Sequence, residues 1–274
     1  INEIGHLMQS LVIFILLVIF STSTYAQQRP QESFNLNSWN VIVATGTFVS
    51  PQFEGSKQYR VLPLPFIRAS KGNYFIQTEG PGLTANILNH SRLKLGPSLQ
   101  FRSERDKDVK NSVLKKFKTI NSSIEAGGFL SYSIPVGAPG TNITTKIKAM
   151  FDLGDAHNGY TINSSITFNK VLNRRTRIGI TLSTNFGDQN YNNTYYGLSA
   201  YNKIISGYSL YEAGSGFNDI GSSVNVTYSL KNNWGLIGIF GYKKLIGPAK
   251  NSPIIKNIGT RNQFLSSIGV SYRF

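Results

Sequence analysis

The sequence contains no cysteine. Disulfide frameworks, thiolate zinc sites and thiol nucleophiles are therefore excluded. It is also poor in acids, with 13 Asp and Glu against 28 Lys and Arg, for a formal charge of +15. Histidine is scarce: His6, His90 and His157. No His, Asp or Glu spacing matches a metal site, and no phosphate-cradling glycine loop follows a strand pattern. No apolar run approaches the ~20 residues of a membrane-crossing helix. The longest, residues 11–20, is ten residues long. Gly, Tyr, Phe, Ser, Thr and Asn are plentiful instead. They suit strands, tight turns and aromatic girdles at a membrane interface.

Apolar and polar residues alternate over long stretches. In residues 160–168, Tyr160, Ile162, Ile166 and Phe168 oppose Thr161, Asn163, Ser165 and Thr167. In residues 178–186, Ile178, Ile180, Leu182 and Phe186 oppose Gly179, Thr181, Ser183 and Asn185. Residues 143–153, 220–230 and 264–274 repeat the pattern. Period-2 alternation over about 9–11 residues is the signature of a tilted membrane strand. A soluble sandwich would have strands nearer five or six residues, with charged outer faces. Here the polar face is mostly Ser, Thr, Asn and Gly, as a crowded, hydrated lumen requires.

These patterns predict an all-β, antiparallel, up-and-down transmembrane β-barrel. Twelve strands are expected, near 38–49, 59–68, 72–79, 81–88, 91–102, 121–134, 142–153, 158–169, 174–186, 216–230, 233–246 and 261–274. Short and long connections alternate, as short periplasmic turns and long outer loops do. The short connection at Gly80-Pro81 breaks that alternation, so ten strands is the alternative. Residues 1–26 are expected to be an export signal, with the ten-residue apolar run as its h-region and Thr24-Tyr25-Ala26 as the cleavage tripeptide. Residues 27–274 then form one outer-membrane barrel, and Tyr272 and Phe274 are expected to act as its assembly signal.

Several segments, taken in order, resemble the MipA/OmpV family of outer-membrane proteins. Pro51-Gln52-Phe53-Glu54-Gly55-Ser56 comes first, followed by the proline pair Pro63 and Pro65, then Leu95-Gly96-Pro97 and Tyr195-Tyr196-Gly197-Leu198. Tyr211-Glu212-Ala213-Gly214 and Asn251-Ser252-Pro253-Ile254-Ile255 complete the set. The family usually carries Asp where Asn251 stands. The resemblance implies a structural or scaffolding role in murein (peptidoglycan) synthesis and turnover. A murein lytic transglycosylase and synthase are the implied partners, and no catalytic residues are carried over. Read as residues, Phe53, Glu54, Gly55, Ser56, Gly197, Ser252 and Pro253 are structural, with the glycines in tight turns. Pro63 and Pro65 cannot donate ladder hydrogen bonds, which argues for an irregular strand. Glu54 is expected to pair with Arg60.

If the oily faces meet lipid, Arg92, Lys94, Arg102, Lys146, Lys148, Arg177 and Arg273 point into the lumen. They would suit a narrow anion-preferring passage for small solutes, or a lumen packed shut with loop 187–215 across it. The cations of residues 105–118 could grip lipopolysaccharide phosphates. Outer-membrane lipid and lipopolysaccharide are thus expected partners, and a surface-loop adhesin is a third reading. The cations are spread over turns and strands rather than gathered on one platform, which argues against nucleic acid. Asp155 and His157 lie two apart, but no serine is marked as a nucleophile. No enzymatic activity and no cofactor are expected.

Overall fold

A computed structural model describes residues 38–105 and 109–274. The expected export signal, residues 1–26, lies outside the described residues. The wall contains β1 (Asn40–Pro51), β2 (Tyr59–Pro63), β3 (Phe66–Lys71), β4 (Tyr74–Thr78), β5 (Gly82–Asn86) and β6 (Leu93–Arg102). It continues through β7 (Ser123–Pro135), β8 (Asn142–Asp152), β9 (Tyr160–Val171), β10 (Thr176–Gly187), β11 (Gly216–Ser229), β12 (Trp234–Leu245) and β13 (Asn262–Arg273). Neighbours are antiparallel throughout, and β13 pairs with β1, from Ile42 opposite Arg273 to Val49 opposite Ser266. The sheet is therefore a closed barrel, and nearly every backbone edge in it is satisfied.

The thirteen segments make twelve staves. The second stave, expected at 59–68, is split into β2 and β3, which pair with the upper and lower halves of β1. The split falls at Leu64-Pro65, where a missing amide interrupts the ladder. β4 and β5 are both strands, joined by the short connection at residues 79–81, so the ten-strand alternative does not apply.

The alternation has the expected sense. Leu99, Leu130, Ile147, Ile166, Leu182 and Ile268 are exposed on the outside, while Thr84, Ser98, Glu125, Ser131 and Lys148 are buried inside. Two aromatic belts bound the oily band. Tyr74, Tyr132, Tyr228, Trp234 and Phe274 lie exposed at the short-turn end, with the Trp234 and Tyr272 rings 5.1 Å apart. Tyr59, Phe101, Phe151 and Phe217 lie exposed toward the long loops. Such belts mark the two membrane–water interfaces.

The compact apolar clusters lie in the long loops, and of their buried members Leu245 alone, the last residue of β12, belongs to the wall. Loop 187–215 contains α1 (Gln189–Tyr196) and α2 (Ala200–Ser206); loop 246–261 contains α3 (Gly247–Asn251) and α4 (Pro253–Asn257). Tyr191, Tyr196, Ala213, Leu245, Ala249 and Ile255 form one buried cluster. Val109, Leu114, Phe117, Leu198 and Ile254 form a second. Together they make a cap across the long-loop end.

Candidate functional site

The site is the outer lumen and the cap that roofs it. Asp188 starts α1 by accepting the Tyr191 amide at 3.0 Å, and it also accepts the Tyr160 amide from β9. One carboxylate thus caps the helix and fixes it to the wall. Asn192, fully buried on α1, donates to the carbonyls of Gly187 and Gly214. It accepts from Asn218 at 2.6 Å. Asn218 reaches the interior because β11 bulges there, turning two consecutive residues, Asn218 and Asp219, inward.

The loop carrying Phe53, Glu54, Gly55 and Ser56 ties the cap to the barrel. Gly55 has φ +94°, and a Cβ there would lie 1.9 Å from the Ile255 side chain. Only glycine meets both demands. The Gly55 amide donates to Gln263 on β13, and Ser56 Oγ accepts the Gln58 amide. Ser252 donates to the Tyr196 carbonyl at 2.6 Å, and Pro253 begins α4. Gly197 ends α1, where a Cβ would strike the Asn193 carbonyl. Glu54 does not pair with Arg60. It accepts from Tyr196 Oη at 2.5 Å and from Lys243 Nζ at 2.9 Å. The loop folds inward over the lumen, where the Lys243 ammonium stands.

Three charge clusters line the lumen. In the first, Arg102 grips Glu125 with Nε and Nη2, at 2.5 and 3.2 Å. Its guanidinium also lies 5.0 Å from the Tyr191 ring. His157 Nδ1 accepts the Gly159 amide, so Nε2 carries the hydrogen and donates to Glu125 at 3.1 Å. Ser123 hydrogen-bonds to Asp152 rather than to His157. In the second, Lys243 bridges Glu54 and Asp219. In the third, Lys146 and Lys148 share Glu79, at 2.6 and 3.5 Å.

The remaining expected lumen cations lie at the short-turn end. Lys94 donates to the His90 carbonyl and to Asn73. Arg177 and Arg273 are exposed at strand ends. Arg92, expected in the wall, is instead exposed in the turn before β6, whose ladder begins at Leu93. Tyr272 and Phe274 belong to the short-turn aromatic belt, and the Phe274 amide donates to Val41.

Electrostatics in the cap follow its burial. Burial would raise the Glu54 carboxyl, but Lys243 and the Tyr196 hydroxyl outweigh it and hold it below its ordinary value. Burial pushes Tyr195 up to about 12 and Tyr196 well above its usual range. It pulls the Arg105 guanidinium down to about 10, still charged at neutral pH. Arg105 donates to the Tyr195 carbonyl. Lys243, Asp219 and Glu79 escaped sequence reading. Lys243 lies on a strand apolar on both faces, and the inward reach of Glu79 depends on the 79–81 turn.

The family model described as MltA-interacting protein MipA matches residues 43–274. No curated protein matches. Among solved structures, an outer membrane channel from Pseudomonas putida F1 has 8% identity and a TM-score of 0.47, over 90% of this chain and 100% of that one. The NanC porin has 8% identity and a TM-score of 0.42, over 86% and 99%. The outer-membrane-expressed OmpT of Vibrio cholerae has 7% identity and a TM-score of 0.42, over 86% and 97%.

Proposed function

The chain belongs to the MipA family, and on that premise we propose that it is a structural barrel of the bacterial outer membrane serving murein synthesis and turnover. A murein lytic transglycosylase and a synthase are its partners, outer-membrane lipid and lipopolysaccharide surround it, and it performs no catalysis itself. Residues 1–26 direct its export.

One observation carries the murein-facing reading. The five short turns, at 72–73, 87–92, 136–141, 172–175 and 230–233, contain no Asp or Glu. Lys71, Arg92, Arg174, Arg175, Arg177, Lys231 and Arg273 stand exposed in or beside them. Short turns face the periplasm in such barrels, so an all-cationic rim meets the carboxylate-bearing polymer beneath the membrane. Charge complementarity of this kind steers association and makes it salt-dependent. The test is co-sedimentation of the detergent-solubilised barrel with purified murein sacculi, followed by capture of the lytic transglycosylase. The triple variant Arg174→Glu, Arg175→Glu, Arg177→Glu is expected to lose sacculus binding while keeping a folded barrel. Wild-type protein that ignores sacculi at low salt, and captures no transglycosylase, would sink the proposal.

The second reading is an anion-preferring channel. It rests on the cations that face the lumen, yet Arg102, Lys146, Lys148 and Lys243 are each held by a carboxylate beneath a capped mouth. That matching supports the structural role over conduction.

A further inference from the structure

Among the described residues, the wall has a stretch of edge that no strand covers. In the backbone ladder β2 pairs with β1 alone among the described residues, and it ends the strand order of the sheet. Its other side should meet the stave formed by β4, but that strand stops at Thr78. The β4–β5 hairpin turns back at residues 79–81, and β5 rejoins β6 at the Gly82–Gln100 pair. Above that turn, no described strand lies between β2 and the end of β6. An open edge at membrane depth leaves amides and carbonyls without partners, which barrels otherwise avoid.

The sequence of β2 suits this exposure. The Leu64 amide donates to Gly46 on β1. By the alternation of an antiparallel ladder, Leu62 and Arg60 also turn their amides toward β1. Positions 61, 63 and 65 then face the gap, and two of them, Pro63 and Pro65, have no amide to leave unpaired. The proline pair therefore blunts the open edge, where a regular strand would invite a partner strand.

The gap leads inward. A cavity of about 320 Å³ is lined by Pro81 and Phe101 at the gap and by Phe53, Arg60, Tyr191 and Lys243 inside. Tyr59 and Val61 stand exposed on the outer face of β2, and Phe101 on that of β6. Tyr59 and Phe101 belong to the outer aromatic belt, so the gap lies where acyl chains meet headgroups. Arg60 points into the cavity, and its Nε is buried without a hydrogen-bond partner among the described residues. Arg102, Arg105 and Lys243 beside it already have partners. A buried guanidinium nitrogen lacking an acceptor costs free energy until an acceptor arrives.

We propose that this gap is a lateral opening through which the cavity takes a phosphate-headed amphiphile from the outer leaflet, with the acyl chain entering past Val61 and Phe101 and the phosphate on Arg60. The chemistry required is an anionic head, which a guanidinium fork matches well, joined to a chain that favours the apolar gap. The proposal is independent of the murein-facing rim, which lies at the other end of the barrel.

The test uses the full barrel in lipid vesicles, with Phe53→Trp as reporter and Trp39 and Trp234 replaced by Phe. Phosphatidic acid with brominated acyl chains is expected to quench the reporter, and brominated phosphatidylcholine much less. Inorganic phosphate alone should not compete at millimolar levels. Arg60→Gln should weaken quenching about tenfold, as loss of one charge-assisted contact does, and Arg60→Lys should recover part of it. Because the chain has no native cysteine, Val61→Cys and Phe101→Cys can be joined by a flexible bismaleimide. That bridge should slow quenching by phosphatidic acid. Retention of the heat-modifiable gel shift certifies each variant as folded. Equal quenching by both lipids, or an unaffected Arg60→Gln barrel, would refute the headgroup site. Undiminished quenching after bridging would refute the lateral route, and competition by phosphate alone would reduce the site to one for a free anion.

Discussion

The wall and the cap bury opposite things. In the wall, Leu182, Ile147 and Ile268 face outward, while the lumen holds Glu125, Lys148 and His157. In the cap, Leu198, Ile254 and Ala213 are inside, and Lys115, Lys116 and Lys203 are exposed to water. Each region turns its oily residues toward whatever is oily around it. For the wall that is lipid; for the cap it is the cap itself. The wall is held by its closed ladder and by the cost of unpaired backbone in hydrocarbon, whereas the cap depends on hydrophobic burial from water, like a small soluble domain.

The comparison can be broken region by region. The largest effect should come from removing the cap. Replacing residues 189–213 with a short Gly-Ser linker is expected to turn a barrel without resolvable current into one with stable steps in a planar bilayer; continued silence would place the closure in the lumen clusters instead. Next, Ile254→Ala should cost about 2–5 kcal/mol of cap stability, read as faster proteolysis of loop 187–215 while the barrel keeps its heat-modifiable shift. If barrel and cap fail together, they are a single cooperative unit. A matched pair then separates the two solvents. Leu182→Arg, in the lipid-facing band, should cost about 2–4 kcal/mol in refolding into vesicles. Ile204→Arg, at a cap position 84% exposed, should change stability by less than about 0.5 kcal/mol.

A modest effect concerns the tie between the regions. The folded cap holds the Glu54 carboxyl below its ordinary value, so its contribution is fully present above the unfolded carboxylate range of about 4.3. That contribution is lost as pH falls through the lower folded value. Protease resistance of the cap should hold from pH 8 to about 5 and decline below about 4.5. Glu54→Gln, with Glu54 and Lys243 both partly exposed, should remove that step and cost about 1 kcal/mol at neutral pH.

Most of the wall could be read from the chain, because strand parity is strict and the oily face meets lipid on every stave. Residues 160–168 and 178–186 show it most plainly, and the Leu64-Pro65 break was visible as a proline pair. The cap was less legible. Helix α1 runs Gln189-Asn190-Tyr191-Asn192-Asn193-Thr194-Tyr195-Tyr196, where polar residues obscure any helical period and Asn192 is buried through side-chain hydrogen bonds. Asn218 should face outward by parity and faces inward only because the strand bulges. The partners of Glu54 come from positions 196 and 243, and no local spacing announces them.

Ring closure has a consequence for how the protein is made. Ile42 meets Arg273 and Val49 meets Ser266, partners that lie at opposite ends of the described sequence. Until residues 262–273 are in place, β1 and β12 each present a free edge. Pairing that joins such distant segments meets the loop-closure entropy of nearly the whole barrel in a single step. Maturation should therefore behave as a late, all-or-none event, and an unfinished chain should depend on something else to shield its two edges until the ring is shut.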